Sequence, residues 1–477
     1  MAHVVVVGGG NAGFSAAQAA AARGREVVVL ERGLPGEAGG NSYYTAGAFR
    51  IAHGGLPDLA RILDPDPRHA STVLTPYGQD LFVEDLRKVT EGRTDPTLAR
   101  VLSDESGDAL RWLHGLGLRF RLMYERQAYE DGAGRHVFWG GLAVGSTGGG
   151  KGLMEQHTRA AEAAGIEVRY GHRCTSLLTE GGRVTGVRWE GGAVEAESVI
   201  LAAGGFEADP VWRRDHLGDG WERALVRGTP LNTGDMLRAA LEIGAARGGD
   251  WGSCHSVAWD AGAAPSGDRE LTNRLTRQSY PLGIVVNAAG ERFLDEGADF
   301  RNYTYARYGG EILRQPGGIA YQIFDASSRP MLRAEEYDAP GTTVVTAPTI
   351  ASLATMLKAG KLPSTVEVFN AAIDESVPFD PSVKDGRASR TTPPKSNWAL
   401  PLRTPPFYAF PVTCGITFTF GGLRADPHGR VLRPDNSPIP GLYVCGEMLG
   451  GLFSGNYPGG SGLTAGTVFG RRAGSLA

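Results

Sequence analysis

Residues 3–33 read HVVVVGGGNAGFSAAQAAAARGREVVVLERG. Consecutive valines suit a strand covered on both faces, as strands of parallel sheets are. Gly8, Gly10 and Gly13 follow in G-x-G-x-x-G spacing, then an alanine-rich helix, then a second valine strand closing on Glu31. Each glycine answers a separate demand: Gly8 a tight turn, Gly10 close approach of the backbone to a pyrophosphate, Gly13 contact between helix and sheet. The helix start offers N–H groups and a positive dipole to phosphate. Glu31, about 20 residues on, can accept hydrogen bonds from a ribose diol. The stretch therefore reads as a dinucleotide site, and both FAD and NAD use such a turn.

Working outward, GEAGGNSYYTAGAFR at 36–50 puts Gly39, Gly40, Asn41 and Ser42 in a loop after the acidic strand, small polar residues able to bond a flavin ring without crowding it. It contains no histidine, so no histidyl–flavin link is expected. Residues 72–125 are helical in pattern, with Trp112 and Leu113 as core anchors. GSTGGGKGL at 145–153 matches G-x-x-x-x-G-K, but Gly152 replaces the magnesium-binding Ser/Thr and no strand is expected to lead into it. It reads as a helix-entry or flavin-proximal loop. The segment ending at Gly204-Gly205-Phe206 reads as a meander returning to the parallel sheet. NTGDMLRAALEIGAA at 232–246 predicts a helix capped by Thr233 or Asp235. The tail IPGLYVCGEMLGGLFSGNYPGGSGLTAGTVFGRRAG predicts strand, acidic residue, glycine loop and a helix starting at Ser461-Gly462-Leu463.

Between about 252 and 418 the texture shifts toward Thr, Pro and Tyr. The expected organisation is α/β: a Rossmann-like FAD-binding domain from 1–251 and 419–477, with an inserted α+β clamp domain at 252–418.

Bulk properties narrow the function. The chain has 477 residues, net charge −4 and no Lys/Arg runs, which argues against nucleic-acid or membrane-surface binding. Its 70 glycines are about twice the usual share. Cys174, Cys254, Cys414 and Cys445 lie far apart without C-x-x-C, so no metal site, iron–sulfur cluster or disulfide framework is expected. A reducing cytoplasm fits. The opening MAHVVVVGGG lacks a basic n-region and no apolar run reaches the ~18 residues of a membrane span.

G8-x-G10-x-x-G13, GGNS, LAAGGF, VVNAAGERFLDE, IPGLYVCGEMLGG and NYPGGSGL, in this order, resemble the flavoprotein family of succinate dehydrogenase and fumarate reductase across nearly the whole chain. Within that family ERFLDE…FRNYTYA and NYPGG are most similar to the tricarballylate dehydrogenases. The resemblance implies non-covalent FAD and oxidation of a saturated C–C bond of a polycarboxylate, tricarballylate to cis-aconitate or a close analogue. It implies an adenosine half held by Gly8, Gly10, Asn11, Ala12, Gly13, Glu31 and Arg32. The flavin half falls to Gly39, Gly40, Asn41, Ser42, Ala46, Gly47, Ala203, Gly204, Gly205, Glu447, Gly462 and Leu463. It also implies a carboxylate-binding His255 and a proton-transferring Arg301, with Tyr303, Tyr305 and Tyr457 as alternative proton acceptors.

Two positions depart from the family pattern: Phe418 stands where a carboxylate-binding histidine is expected, and Tyr457 where a clamping arginine is. A neutral hydroxyl holds a carboxylate less strongly than a bidentate arginine. Arg274 and Arg277 are the expected replacements. Two other readings stand beside this one: a desaturase of a neutral ring ketone, similar to ketosteroid Δ1-dehydrogenases, and a non-catalytic FAD-binding module. With no haem or cluster motif, electrons are expected to leave to a separate acceptor, an iron–sulfur membrane protein, a quinone or oxygen.

Overall fold

The computed structural model describes residues 2–477 and divides into two compact units. The first comprises Met1–Glu222, Gly228–His255 and Thr417–Ala477; the second comprises Arg223–Arg227 and Ser256–Ile416. His255 and Phe418, expected inside the insertion, thus belong to the first unit.

In the first unit, β1 (Ala2–Val7) leads into α1 (Asn11–Ala21) and β2 (Val27–Leu30). α2 (Gly149–Ala163) precedes a short strand, Glu167–Arg169, and the hairpin Cys174–Glu180 with Arg183–Trp189. β3 (Gly192–Leu201) then enters the sheet, β4 (Pro438–Val444) joins beside it, and α3 (Ser461–Leu476) closes the chain. β1 lies between β2 and β3, parallel to both, with Val5 opposite Val28 and Val199. β4 is parallel to β3 on its far side. Val4, Val5 and Val6 are wholly buried, as a central parallel strand requires.

Close approach explains the glycines at both ends of this layer. Gly8 has φ +107°, and a Cβ there would strike the carbonyl of Ala202; a Cβ on Gly13 would strike the carbonyl of Gly8. On α3, Gly466, Gly470 and Gly474 form a groove for α1, with a Cβ on Gly470 only 2.5 Å from Ala12 O.

The expected helix after Asn232 runs Asp235–Glu242, but neither Thr233 nor Asp235 caps it: the N-cap is Gly234 at φ +75°. Both side chains face Arg32, which donates to Thr233 Oγ1 at 2.6 Å and to Asp235 at 3.3 Å. A strand, Val144–Ser146, does lead into the G-x-x-x-x-G-K look-alike. It pairs antiparallel with Ala48–Phe49 and Phe120–Leu122, outside the parallel sheet.

The second unit is built on an antiparallel sheet in which Ala320–Asp325 pairs with Ile284–Asn287 on one side and with Phe407–Val412 of the long strand Phe407–Leu423 on the other. Ile284, Val286, Ile323, Leu353, Phe369 and Phe407 form its main core. The ERFLDE segment is structural here: Arg292 and Glu296 form a buried ion pair at 2.5 Å, and Glu296 also accepts from Val285 N.

Candidate functional site

The glycine turn between β1 and α1 is closed by Glu31, whose two carboxylate oxygens accept from Gly9 N and Gly33 N, both at 2.7 Å. Burial pushes this carboxyl above its usual range, while the two backbone bonds and Arg32 pull it back. Arg32 itself points to Leu231 O, Thr233 and Asp235. Gly10 caps α1 in extended geometry without a side-chain bond, and a Cβ there would meet no protein atom nearer than Ser42 Oγ at 3.5 Å. That open position, above a helix start and beside a buried acid, fits the pyrophosphate and ribose of a dinucleotide.

Asn11 serves as a clamp between helices. Its Nδ2 donates to Leu463 O at 2.9 Å and Thr467 Oγ1 at 3.2 Å on α3, and its Oδ1 lies 3.0 Å from His157 Nε2 on α2. Its backbone N–H donates to Ser42 Oγ at 3.1 Å, which joins the first turn to the GGNS loop. His157 is wholly buried and stacked on Phe14, and burial holds its imidazole down to about 3. Ala12 is half-buried in the first turn of α1.

In the GGNS loop, Gly39 and Gly40 adopt left-handed backbone at φ +102° and +51°. Asn41 faces inward: its Nδ2 donates to Glu207 Oε1 at 2.6 Å and Thr417 O at 2.5 Å, and its Oδ1 accepts from Thr229 N. Gly47 follows Ala46 and packs on Ser146, its carbonyl accepting from Ser146 N. On the return strand Ala203 N donates to Met448 Sδ at 3.2 Å, Gly204 lies against Asn232, and Gly205 lies against the Glu447 carboxylate and Thr419.

Glu207, absent from the sequence reading, is wholly buried and accepts from Asn41 and Asn232, both at 2.6 Å. Glu447 accepts from Thr419 N at 2.7 Å. Burial, then the charge of Glu207, drives the Glu447 carboxyl well above the carboxylate range. Two neighbouring carboxyls in a dry setting disfavour each other's ionisation, and Glu207 is raised by burial as well. The only sequence hint was the position of Glu207 directly after Gly-Gly-Phe.

Three predicted residues meet in one cluster of the first unit. The His255 ring stacks on Phe418 at 5.2 Å and 14°, and Tyr457 stands edge-on to both, at 4.8 Å and 5.3 Å. Phe420 and Phe453 extend the patch, at 5.3 Å and 6.0 Å from Phe418. Gly462, at the start of α3, borders it: a Cβ there would lie 3.8 Å from Phe418 and 3.9 Å from Tyr457. Leu463 turns its carbonyl to Asn11.

The remaining predicted residues lie in the second unit. Arg301 is buried at the start of a short helical turn, Arg301–Tyr303, and Tyr303 and Tyr305 are half-buried. Arg274 is exposed. The expectation that Arg277 binds substrate is corrected. Its guanidinium is wholly buried, paired with Asp260 at 2.6 Å, bonded to the carbonyls of Arg274, Thr276 and Glu336, and set over the Tyr337 ring. A charge so fully desolvated must be satisfied internally, which removes it from ligand binding.

Among the described residues no cluster of His, Cys, Asp or Glu could hold a metal, and no helix is long and apolar enough to cross a membrane.

A family model described as FAD binding domain matches residues 3–463. A fumarate reductase (cytochrome) of Shewanella frigidimarina is 29% identical over 483 residues, 99% of this chain and 76% of the relative. A 3-oxosteroid 1-dehydrogenase of Mycobacterium tuberculosis is 30% identical over 66% of this chain and 60% of its own length. Among solved structures, the open conformation of a flavocytochrome c3 fumarate reductase superposes with a TM-score of 0.74 at 25% identity, covering 99% of this chain and 77% of that one. The 3-ketosteroid Δ1-dehydrogenase from Sterolibacterium denitrificans gives 0.75 at 21% identity over 100% and 99%, a likeness of fold.

Proposed function

This chain belongs to the FAD binding domain family and is an FAD-dependent oxidoreductase acting on CH–CH bonds, and from that premise we propose that it oxidises a saturated C–C bond of a polycarboxylate, tricarballylate to cis-aconitate or a close analogue. The observation that carries this reading is the cluster of His255, Phe418 and Tyr457 beside the start of α3. It sets one imidazole and one phenol, the groups able to donate to a carboxylate, into an otherwise apolar patch.

When bound, FAD supplies the two-electron acceptor for a hydride leaving carbon. Glu31 and the first turn of α1 would hold its adenosine half. Gly39, Gly40, Ser42, Gly205, Glu447 and the start of α3 would lie along the rest. His255 and Tyr457 orient the acid through hydrogen bonds, and Phe418 excludes water so that those bonds act at low dielectric. Arg301, in the second unit, is the proposed proton carrier on the family resemblance alone. A guanidinium stays protonated up to pH ~12, so it can take a proton from carbon only by passing its own to a neighbour, and Tyr303 is the proposed next carrier.

A second reading has its own support. Phe418, Phe420 and Phe453 form a surface suited to an uncharged ring, and a 3-oxosteroid 1-dehydrogenase is among the relatives. Under that reading Tyr457 polarises a ketone. A separate acceptor, a quinone or an iron–sulfur protein, would take up the electrons. Four buried cysteines, none of them in a disulfide, suit a reducing, cytoplasmic setting.

The test is an anaerobic visible spectrum of the FAD-loaded protein, titrated in turn with tricarballylate, succinate and a 3-oxosteroid. Bleaching by tricarballylate alone is the expected result. Bleaching by the steroid alone would replace the acid with the ring ketone.

A further inference from the structure

The loop that carries Tyr457 leaves the aromatic patch over a buried cation that the proposed chemistry does not use. Arg50 is wholly buried. Its Nε donates to Gly459 O at 2.9 Å, its backbone N–H donates to Gly460 O at 3.2 Å, and its own carbonyl accepts from Thr464 Oγ1 at 2.8 Å. On its other side the guanidinium pairs with Asp85 at 2.9 Å and donates to Tyr77 OH at 3.1 Å, while Tyr77 OH donates to Asp85 at 2.6 Å.

Gly460 sits at φ +85°, and a Cβ there would lie 2.9 Å from Arg50 N and overlap Leu142. The loop therefore rests directly on Arg50. Gly460 N in turn donates to the Tyr457 hydroxyl at 3.4 Å. A continuous line of contacts runs from Asp85 through Arg50 to the Gly459–Gly460 backbone and on to the phenol.

The loop's entry is held differently. Ser454 and Ser253 both donate to Asp250, at 2.6 and 2.5 Å, and Gly455 N donates to Ser253 Oγ. Both acids are half-buried, but Asp85 faces a wholly buried guanidinium at 2.9 Å, whereas Asp250 faces the exposed Arg93 at 3.8 Å. A desolvated pair holds one geometry, because any displacement leaves a charge buried without its partner. The exit end, three residues from Tyr457, is the stiffer of the two.

We propose that Arg50 is a positioning residue that sets the aim of Tyr457 and, through it, the enzyme's choice among acids. The inference rests on the reading of Tyr457 as a substrate-contacting side chain.

FAD-loaded Arg50→Met, Arg50→Lys, Asp85→Asn and Tyr457→Phe proteins test it, together with the Arg50→Met/Tyr457→Phe double variant. Arg50→Met is expected to raise KM for the preferred substrate about tenfold and to erode its preference over succinate by a similar factor, with kcat held within about twofold. Arg50→Lys recovers part of the loss, and Tyr457→Phe adds little in the Arg50→Met background, since residues acting through one another are non-additive. Arg50→Met that keeps wild-type KM and selectivity overturns the proposal, as do effects of the two substitutions that simply multiply. If Arg50→Met does not fold, Asp85→Asn is held to the same criteria. Should the wild type turn over none of the candidate substrates, the substrate reading has failed. Hydrogen exchange at the Gly460 amide then decides for Arg50: faster exchange in Asp85→Asn supports it, unchanged exchange overturns it.

Discussion

Two glycine loops in the first unit do related work by different means. The turn at Gly8–Gly13 is shaped by its own backbone: Gly8 is pressed against Ala202, Gly13 against Gly8, and one local carboxylate, Glu31, ties down both sides. The loop at Gly455–Gly460 is shaped by side chains from elsewhere, Arg50, Asp85 and Tyr77 at its exit and Asp250 and Ser253 at its entry. A loop defined by sterics tolerates almost no added atom, whereas one defined by a polar network can keep its path and lose its aim.

The sharpest test of that contrast lies within the first turn. Gly13→Ala forces a Cβ into the Gly8 carbonyl and should destabilise the protein by about 3 kcal/mol and abolish flavin retention, read from melting temperature and the flavin-to-protein ratio. Gly10→Ala meets only an ordinary contact at 3.5 Å, so its melting temperature without FAD should match wild type while its FAD affinity drops. Equal apo-protein stability losses in both variants would break the comparison.

The next effect comes from His157, held beneath the first turn by Asn11. Its folded value lies near 3, below the usual ~6.5, so the unfolded chain binds a proton that the folded one refuses. Stability is full above pH ~6.5 and falls as the pH drops toward 3, by about 2 kcal/mol at pH ~5. His157→Gln should flatten that acid limb in urea titrations.

The carboxyl pair beside Gly205 has the opposite sign. Glu447 is raised in the folded state, so its contribution is present at low pH and lost as the pH climbs through the raised value. Glu447→Gln should therefore melt with a smaller alkaline decline than wild type; an identical decline would remove the proton from this pair.

The smallest effect is expected in the second loop. Tyr457→Phe loses one long hydrogen bond, 3.4 Å from Gly460 N, and should cost less than about 1 kcal/mol of stability while changing substrate preference. A large loss of stability would mean that the phenol holds the loop, and not the reverse.

The same contrast explains what could be read in advance. Gly8, Gly10, Gly13 and Glu31 announce themselves because steric demands on a backbone are local and leave a spaced signature. The meander after Glu167, its return through β3, and the closing strand and helix were legible from alternation and turn residues. Arg277 was misread because its partner, Asp260, and the Tyr337 ring beneath it are contacts that only folding creates. Glu207 and Arg50 were passed over for the same reason, since neither stands in a motif. Thr233 and Asp235 look like helix caps until Arg32 claims both.

What the sequence by itself determined is the opening strand–turn–helix–strand and a glycine turn suited to a dinucleotide, because both follow from residues close together along the chain. What only the tertiary structure decided is which charges are spent internally and which rings meet: Arg277 and Arg50 buried in ion pairs, His255, Phe418 and Tyr457 gathered into one patch. Burial sets the cost of a charge, and burial is a property of the fold, not of the neighbours in sequence.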